Sequence, residues 1–163
     1  MTLAYRIDEL DPEHDRAAFA CGSPPLDRYI REQATQDIRR RVAKCFVATE
    51  AQATRVAGFY TLAAASLPLD LLPPDIQKRL PRYPAVPVAR IGRLAVDQTH
   101  QRRKLAATLL ADAALRATRA GMGIFALIVD AKDTQAEAFY KHHGFGAFAP
   151  LQLFMTLATI QKC

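Results

Sequence analysis

Apolar residues recur along the chain with two different periods, and each change of period predicts a boundary between a strand and a helix. The short runs KCFVATE, VARIGRLAVD and IFALIVDA are apolar at most positions, which is typical of buried strands. In RRKLAATLLADAALRATRAG, by contrast, Leu105, Leu109, Ala113 and Ala117 follow one another at four-residue spacing and predict a helix. Gly121 predicts the end of that helix.

The N-terminal third of the chain predicts a strand, two helices and a hairpin. YRIDELD reads as a short strand, and DPEHDRAAFACG predicts a short helix from an Asp cap to Gly22. SPPLDRYIREQATQDIRRR predicts a second helix after a Ser cap, with Leu26, Tyr29, Ile30 and Gln33 on one face. The strands KCFVATE and RVAGFYTLAAASL are separated by the short polar piece AQAT, which predicts an antiparallel hairpin.

The rest of the chain predicts strands that alternate with helices. PLDLLPPDIQKRLPRYPAVP contains six prolines and allows at most a short helix. DTQAEAFYKHHGFG predicts a short helix ended by Gly144, and LQLFMTLATI predicts a last strand. The order is therefore β-α-α-β-β-α-β-α-β-α-β. Because strand–helix–strand units need parallel pairing and the hairpin is antiparallel, we expect an α/β (α+β) fold with a mixed central sheet flanked by helices.

The bulk properties predict one cytoplasmic domain. The 163 residues match the size of a single domain, and no linker or repeat divides residues 1–163. No run approaches the roughly 18 apolar residues that a membrane span needs, so we expect no membrane attachment. The start MTLAYRIDELDPEHD is acidic and lacks the apolar segment of a signal peptide.

The cysteines and histidines predict neither a disulfide framework nor a metal site. Cys21, Cys45 and Cys163 are far apart and odd in number, which is typical of reduced thiols in a cytosolic protein. His142 and His143 are adjacent, so they point to different faces of a helix end and cannot easily bind one ion together.

Basic residues outnumber acidic ones and give the chain a formal charge of +6. This balance is typical of proteins that bind nucleic acid or a phosphate-rich cofactor, although solubility alone is an alternative explanation. Three clusters carry much of the excess: Arg39, Arg40, Arg41 and Lys44; Lys78, Arg79 and Arg82; and Arg102, Arg103 and Lys104. The third cluster begins a predicted helix, where the helix dipole already favours anions.

Two segments and the order of the elements resemble a known family. Residues 101–106, QRRKLA, follow a buried strand and occupy the positions of a Q/R-x-x-G-x-G/A motif. DTQAEAFYKHHGF is similar to N-x-x-A-x-x-x-Y-x-x-x-G-F, with Asp133 at the Asn position and with matches at Ala136, Tyr140, Gly144 and Phe145. The chain therefore resembles the GNAT family of N-acetyltransferases, which implies a single GNAT-type domain.

The resemblance implies acetyl-CoA as the cofactor and no metal. In the family, the glycine-containing motif binds the pyrophosphate, and the preceding strand presents backbone groups to the pantetheine arm. The implied cofactor-binding residues are Leu94, Ala95, Val96, Gln101, Arg102, Arg103, Lys104, Leu105, Ala106, Ala107 and Asp133. A backbone N–H near Ala95 or Val96 would then face the thioester oxygen.

Lys104 and Arg102 depart from the motif, because glycine is expected at position 104 and is common at 102. Glycine permits positive φ and a close approach of backbone to phosphate. The donors are mainly backbone N–H groups, however, which any residue except proline supplies. We therefore expect a working cradle in which basic side chains add charge-assisted hydrogen bonds. A lost cofactor site and a plain basic helix start are the alternatives.

A narrower resemblance is to the GNAT toxins of bacterial toxin–antitoxin modules. FACGSPPLDRYIREQA, VAGFYTLAAASL, RYPAVPVARIGRLAVD and VDAKDTQAEAFYKHHGF carry it. Those toxins acetylate the free α-amino group of aminoacyl-tRNA, which blocks translation, and their usual partner is a small ribbon-helix-helix antitoxin. The resemblance implies the same substrate and partner, and a homodimer. The residues expected to contact the tRNA backbone, or else an acidic antitoxin tail, are Arg39, Arg40, Arg41, Lys44, Arg79 and Arg82.

Tyr140 is the candidate catalytic acid for the departing thiolate, since a tyrosine pKa of about 10 keeps the hydroxyl protonated at neutral pH. Its alternative role is to pack a short helix against the sheet. Asp97 and Asp130 end core strands and could assist through water, but we expect them to cap helices or loops.

No buried carboxylate stands out as a general base, which favours one class of acceptor amine. Deprotonating a lysine of pKa about 10.4 at neutral pH costs about 3–5 kcal/mol, whereas an α-amine of pKa about 7.7–8 costs little. Two other functions remain open. One is a GNAT enzyme for a small amine or a protein N-terminus, and the other is a binding protein whose 101–106 loop no longer holds the cofactor.

Overall fold

The computed structural model describes residues 5–158. Within them, the strands are β1 Tyr5–Glu9, β2 Lys44–Glu50, β3 Gly58–Pro68, β4 Ala85–Val96, β5 Ala126–Asp130, β6 Gly146–Ala149 and β7 Gln152–Thr156. The helices are α1 Pro24–Arg28, α2 Ala34–Arg39, α3 Pro74–Gln77, α4 Leu105–Thr118 and α5 Thr134–His142. A π-helical segment, Tyr29–Gln33, joins α1 to α2, and 3-10 turns cover Leu69–Leu71 and Gln98–His100. Cys163 and the end of the predicted last strand lie outside the described residues.

The strands are hydrogen-bonded in the order β1-β2-β3-β4-β5-β7-β6. β1 and β2 are antiparallel, with Tyr5 opposite Glu50, and β2 and β3 form the predicted hairpin. β4 and β5 are parallel, with Val88 opposite Ala126, as the strand–helix–strand pattern predicts. The sheet therefore contains both kinds of pairing, which confirms the mixed α/β (α+β) fold. No helix in the described part of the chain is long and apolar enough to cross a membrane.

The chain forms two compact units, and the first combines the described part of Met1–Ala63 with Gly92–Ala113. Its core lies among the helical segment near residues 24–39, β2 and β3. Phe59 of β3 is fully buried between the edge-on ring of Phe19, 5.4 Å away, and the stacked ring of Tyr29, 6.2 Å away. Such aromatic contacts add to the stabilisation from burial alone and fix the position of the helical segment.

The second unit combines Ala64–Ile91 with the described part of Ala114–Cys163. Leu67, Val88, Ile128 and Phe154 belong to its buried core. Between β3 and β4, the predicted proline-rich connection contains only a 3-10 turn and α3, as its prolines favour, while residues 85–87 at its end already belong to β4.

The predicted helix over DPEHDRAAFACG, residues 11–22, is wrong, because the segment folds as a series of turns. The Asp11 carboxylate accepts a hydrogen bond from the Glu13 N–H at 2.8 Å, and the Asp15 carboxylate accepts one from the Ala17 N–H at 3.1 Å. Side-chain acceptors of this kind satisfy backbone donors locally and compete with the helical hydrogen bonds. Burial of Phe19 then anchors the turns to the core.

Two further predictions need correction. The second predicted helix is interrupted by the π-helical segment Tyr29–Gln33, which apolar periodicity does not show. The single last strand of the predicted order is a pair, because β6 precedes β7 and pairs with it antiparallel. Leu151, at φ 58°, makes the turn between them.

Candidate functional site

The QRRKLA loop, residues 101–106, has an unusual backbone. Arg102 and Lys104 adopt left-handed conformations, with φ values of 66° and 62°. These are the two positions at which the family motif favours glycine. A residue with a Cβ pays about 1–2 kcal/mol for this conformation, so the rest of the structure must enforce it. The chain therefore builds the glycine-type loop without glycine.

The loop ends at the N-terminus of α4, where backbone donors are free. The first hydrogen bond of the helix runs from the Thr108 N–H to the Lys104 carbonyl at 3.1 Å. Within the described chain, the N–H groups of Leu105, Ala106 and Ala107 have no acceptor. The side chains of residues 101–104 are exposed. Free donors, the helix dipole and three cations fit a pyrophosphate group.

Gln101 ties the loop to its surroundings. Its side-chain amide donates to the Val96 carbonyl at the end of β4 and to the Cys21 carbonyl, each at 3.1 Å. Both acceptors belong to the same compact unit as the loop. Gln101 thus positions the donors that follow it, and its predicted direct contact with the cofactor stays a prediction.

Asp97 caps the 3-10 turn Gln98–His100, which leads into the loop. Its carboxylate is 1% exposed and accepts hydrogen bonds from the Thr99 hydroxyl at 2.7 Å, the Thr99 N–H at 3.0 Å and the Ala20 N–H at 3.1 Å. Burial by itself would raise its pKa, but these hydrogen bonds, together with Arg55 at 3.7 Å, lower the pKa below the usual value. Asp97 is therefore an ionised cap, as expected.

Gly58 is a site residue that the sequence analysis missed. A Cβ at this position would lie 3.0 Å from Leu109 Cδ1 and 3.1 Å from the Ala95 carbonyl oxygen. The absence of a side chain at this first residue of β3 lets α4 pack closely on the strand, beside the end of β4, where the predicted residues Leu94, Ala95 and Val96 lie. The parallel pairing of β4 with β5 covers Val88–Ile91, so Leu94, Ala95 and Val96 lie beyond the paired part of β4.

A small basic cavity adjoins the loop and was also missed. It has a volume of about 260 Å³, and Arg103, Arg55 and His100 contribute to its lining. His100 is buried and held by the Tyr5 hydroxyl at 2.9 Å and by Glu50 at 3.3 Å. No sequence motif identifies this cavity, because its residues come from two segments, 50–55 and 99–103, that are far apart in the sequence.

Tyr140 lies in the second unit, on α5. The residue is 5% exposed, and its ring packs edge-on against Phe139 and Phe145. Burial, and secondarily the charge of Asp130, raises the pKa of Tyr140 to about 12. Among the described residues, its hydroxyl has no hydrogen-bond partner. The ring is thus fixed by packing while the phenolic proton stays available for a bound molecule.

Asp130 and Asp133 have structural partners in the same unit. Asp130 ends β5 and forms an ion pair with Arg90, whose Nε lies 2.6 Å from Oδ2. Asp133 is the N-cap of α5 and accepts a hydrogen bond from the Ala136 N–H at 2.8 Å. The Asp130 carboxylate is therefore engaged with a cation. A contact between Asp133 and the cofactor stays a prediction.

The basic residues predicted to contact tRNA are all exposed, and they fall in both units. Arg39 ends α2, Arg40 and Arg41 follow it, and Lys44 begins β2. Lys44 forms an ion pair with Glu9 at 3.1 Å. In the second unit, Arg79 follows α3 and lies 3.8 Å from Asp75, and Arg82 is exposed nearby in sequence. Surface pairs of this kind are weak and leave the arginines free to exchange partners.

The described residues contain no group of three or more His, Cys, Asp or Glu side chains that could hold a metal ion. The described residues thus offer a helix start that is suited to an anion in one unit and a buried, protonated tyrosine in the other. Each is compatible with the acyl transfer that the resemblance implies.

Comparison with known proteins identifies relatives along almost the whole chain. The model of the acetyltransferase (GNAT) family matches residues 7–145. A "tRNA-acetylating toxin" of Mycobacterium tuberculosis is 37% identical over 142 residues, which cover 86% of this chain and 81% of the relative. "Probable toxin TacT" of Sinorhizobium fredii is 30% identical over 168 residues, covering 96% and 93%.

Solved structures of similar proteins give the same fold. AtaT complexed with acetyl-methionyl-tRNAfMet is 27% identical, with a TM-score of 0.88 over 98% of both chains. AtaTR bound with AcCoA is also 27% identical, with a TM-score of 0.83 over 97% of this chain and 96% of that one. The AtaT–AtaR complex bound to DNA is 25% identical, with a TM-score of 0.77 over 96% and 97%.

Proposed function

The chain belongs to the acetyltransferase (GNAT) family and is an N-acetyltransferase that takes acetyl-CoA as its donor, and we propose that its acceptor is the α-amino group of aminoacyl-tRNA. The observation that carries this proposal is the 37% identity to a tRNA-acetylating toxin over 86% of the chain. Acetylation would remove the amine that forms the next peptide bond, so the protein would act as a toxin that blocks translation.

The QRRKLA loop would hold the pyrophosphate of the donor. Three N–H groups at the start of α4 that have no acceptor among the described residues support this role, as do the left-handed Arg102 and Lys104. Leu94–Val96 would offer backbone groups to the pantetheine arm, and an N–H of Ala95 or Val96 would stabilise the oxyanion. When bound, acetyl-CoA supplies the acetyl group as a thioester. Lys104 would therefore add a positive charge to the pyrophosphate site. Its side chain is exposed, which supports a contact with the phosphates.

Tyr140 would be the general acid. As the amine nitrogen bonds to the acetyl carbon and the carbon–sulfur bond breaks, the Tyr140 hydroxyl would give its proton to the sulfur. A pKa of about 12 keeps the hydroxyl protonated at neutral pH and favours rapid recovery of a proton from water afterwards. The amine releases its own proton easily, because an α-amine has a pKa of only about 7.7–8.

The basic residues would contact the phosphates of the tRNA. Arg39, Arg40, Arg41, Lys44, Arg79 and Arg82 are exposed and can neutralise backbone charge. Their contribution would appear as a steep fall of tRNA affinity with salt. A GNAT enzyme for a small amine would lack that dependence, so the salt slope separates the two functions.

The decisive experiment supplies charged tRNA and labelled acetyl-CoA to the purified protein. We expect label on the aminoacyl moiety of at least one aminoacyl-tRNA, identified after nuclease digestion by mass spectrometry. Uncharged tRNA is the control, because it lacks the acceptor amine. Absence of label from every aminoacyl-tRNA, together with acetylation of a small amine, would contradict the proposal.

We further propose a homodimeric toxin held inactive by a ribbon-helix-helix antitoxin. The AtaT–AtaR complex bound to DNA supports a partnership of this type. Size-exclusion chromatography with light scattering should give twice the mass of 18.0 kDa for the free protein. Co-expression with a candidate ribbon-helix-helix antitoxin should restore growth of producing cells, and continued growth arrest would argue against that partner.

A further inference from the structure

The π-helical segment Tyr29–Gln33 borders a cavity of about 330 Å³ in the first unit. Tyr29, Glu32 and Gln33 of the segment line it, together with Pro25, Leu26, Arg28 and Arg93. A π turn is wider than an α turn and redirects the side chains that follow it, and such turns are frequent at functional sites. The π-helical interruption therefore forms part of the wall of a cavity to which the proposed function assigns no role.

Arg93 of β4 is the distinctive residue of this cavity. Its guanidinium carbon lies 3.7 Å from the centre of the Tyr29 ring. The Tyr29 hydroxyl donates to Asp37 at 2.8 Å, so the ring beneath the guanidinium is itself held in place. Arg93 is half-buried, yet within the described residues it forms neither a hydrogen bond nor an ion pair.

An arginine that is held in place by stacking and has unused N–H donors is well suited to bind an anion. Stacking orients the flat guanidinium and reduces the entropy lost on binding, while its N–H donors remain unused. Two N–H groups of a guanidinium match two oxygens of a phosphate. Arg28 adds a second positive charge to the cavity, against one negative charge from Glu32.

The position of Arg93 in the chain indicates which phosphate it meets. It directly precedes Leu94–Val96, the residues proposed to hold the reacting thioester. In an aminoacyl-tRNA, the phosphate closest to the reacting amine is the 5′-phosphate of the terminal, esterified nucleotide. We propose that Arg93, stacked on Tyr29, binds this last phosphodiester and thereby positions the acceptor end. This inference rests on the proposed function.

The test measures binding of an uncharged RNA microhelix with a CCA end by fluorescence anisotropy, with and without a neutral methylphosphonate at its last linkage. For the wild type, we expect the neutral linkage to weaken binding about tenfold, as loss of a charge-assisted contact should. Arg93→Gln should bind the ordinary microhelix about tenfold more weakly and should be insensitive to the modification. Its salt slope should also fall by about 0.7 to 1.

Arg119→Gln is the matched control, since Arg119 is an exposed arginine beyond the end of α4. It should keep the full tenfold response to the neutral linkage. Unchanged acetyl-CoA binding by Arg93→Gln, measured by calorimetry, would show that the variant is folded. If Arg93→Gln still loses tenfold affinity on the modified microhelix, the inference is overturned.

The two proposals fail in different ways. If the wild type binds the microhelix with the predicted response but transfers no acetyl group to charged tRNA, the proposed function is wrong and the Arg93 contact stands. If the wild type acetylates charged tRNA but is indifferent to the neutral linkage, the function stands and the contact is refuted.

Discussion

The QRRKLA loop and the surroundings of Tyr140 differ in the kind of group that each would offer to a bound molecule. The loop is exposed, and its proposed function would depend on backbone donors that follow the left-handed Arg102 and Lys104. Tyr140 is buried, and its proposed function would depend on one side-chain oxygen, whose pKa is raised by its surroundings. A site made of backbone donors tolerates changes of residue type as long as the backbone conformation persists. A site that depends on one side-chain oxygen loses its activity when that oxygen is removed.

The largest effect on activity should come from removing the hydroxyl oxygen of Tyr140. Tyr140→Phe keeps the packed ring but deletes the hydroxyl, so we expect kcat for acetyl transfer to fall about 10²- to 10³-fold, as loss of a general acid does. Acetyl-CoA affinity and the melting temperature should stay near the wild-type values. Tyr83→Phe is the control, because Tyr83 is 64% exposed. Full activity of Tyr140→Phe would assign the residue to packing alone.

Close packing behind the loop gives the next effect. Gly58→Ala places a Cβ 3.0 Å from Leu109 and 3.1 Å from the Ala95 carbonyl. We expect the free energy of unfolding to fall by about 1–3 kcal/mol, as overpacking does. Gly123→Ala is the matched control, since no described atom lies within 4 Å of a Cβ there. Equal stability of the two variants in urea titrations would show that Leu109 and the Ala95 carbonyl can shift away from residue 58 without cost.

Asp97, the ionised cap of the turn before the loop, should give a pH-dependent effect. Because the folded-state pKa of Asp97 is lowered, its stabilisation is present above the unfolded pKa of about 3.9 and is lost as pH falls through the folded value. Asp97→Asn should cost about 1–2 kcal/mol at pH 7. The difference between wild type and variant should shrink below about pH 4 in urea titrations. If the difference in the free energy of unfolding between wild type and variant did not change with pH, the loss of stability would come from altered packing or hydrogen bonding and not from the charge of Asp97.

The smallest effect should separate conformation from charge at Lys104. Lys104→Gly relieves the strain of the left-handed conformation, which stabilises the folded state, but it also increases the conformational entropy of the unfolded chain. Because the second effect offsets only part of the first, the glycine variant should be more stable than Lys104→Ala by about 0.5–1 kcal/mol. Both variants lose the ammonium group, and both should bind acetyl-CoA several-fold more weakly than the wild type. If the glycine variant binds more tightly than the wild type, Lys104 hinders the phosphates.

Much of the fold could be read from local patterns. The hairpin, the parallel pair β4 and β5, and the helices α4 and α5 depend on apolar periodicity and on terminators such as Gly144, which act over a few residues. The helix predicted over 11–22 failed because Asp11 and Asp15 satisfied backbone donors themselves, a competition that composition alone does not resolve.

The sequence by itself determined the family, the basic helix start after a buried strand and the tyrosine on a short helix, since these are adjacent residues with fixed spacing. Only the tertiary structure decided that Lys104 takes the glycine conformation, that Tyr140 is desolvated and that Arg93 lies over Tyr29. The physical reason is the range of the interactions. Spacing encodes contacts along one element, whereas strain, burial and stacking arise where distant segments meet and share one environment.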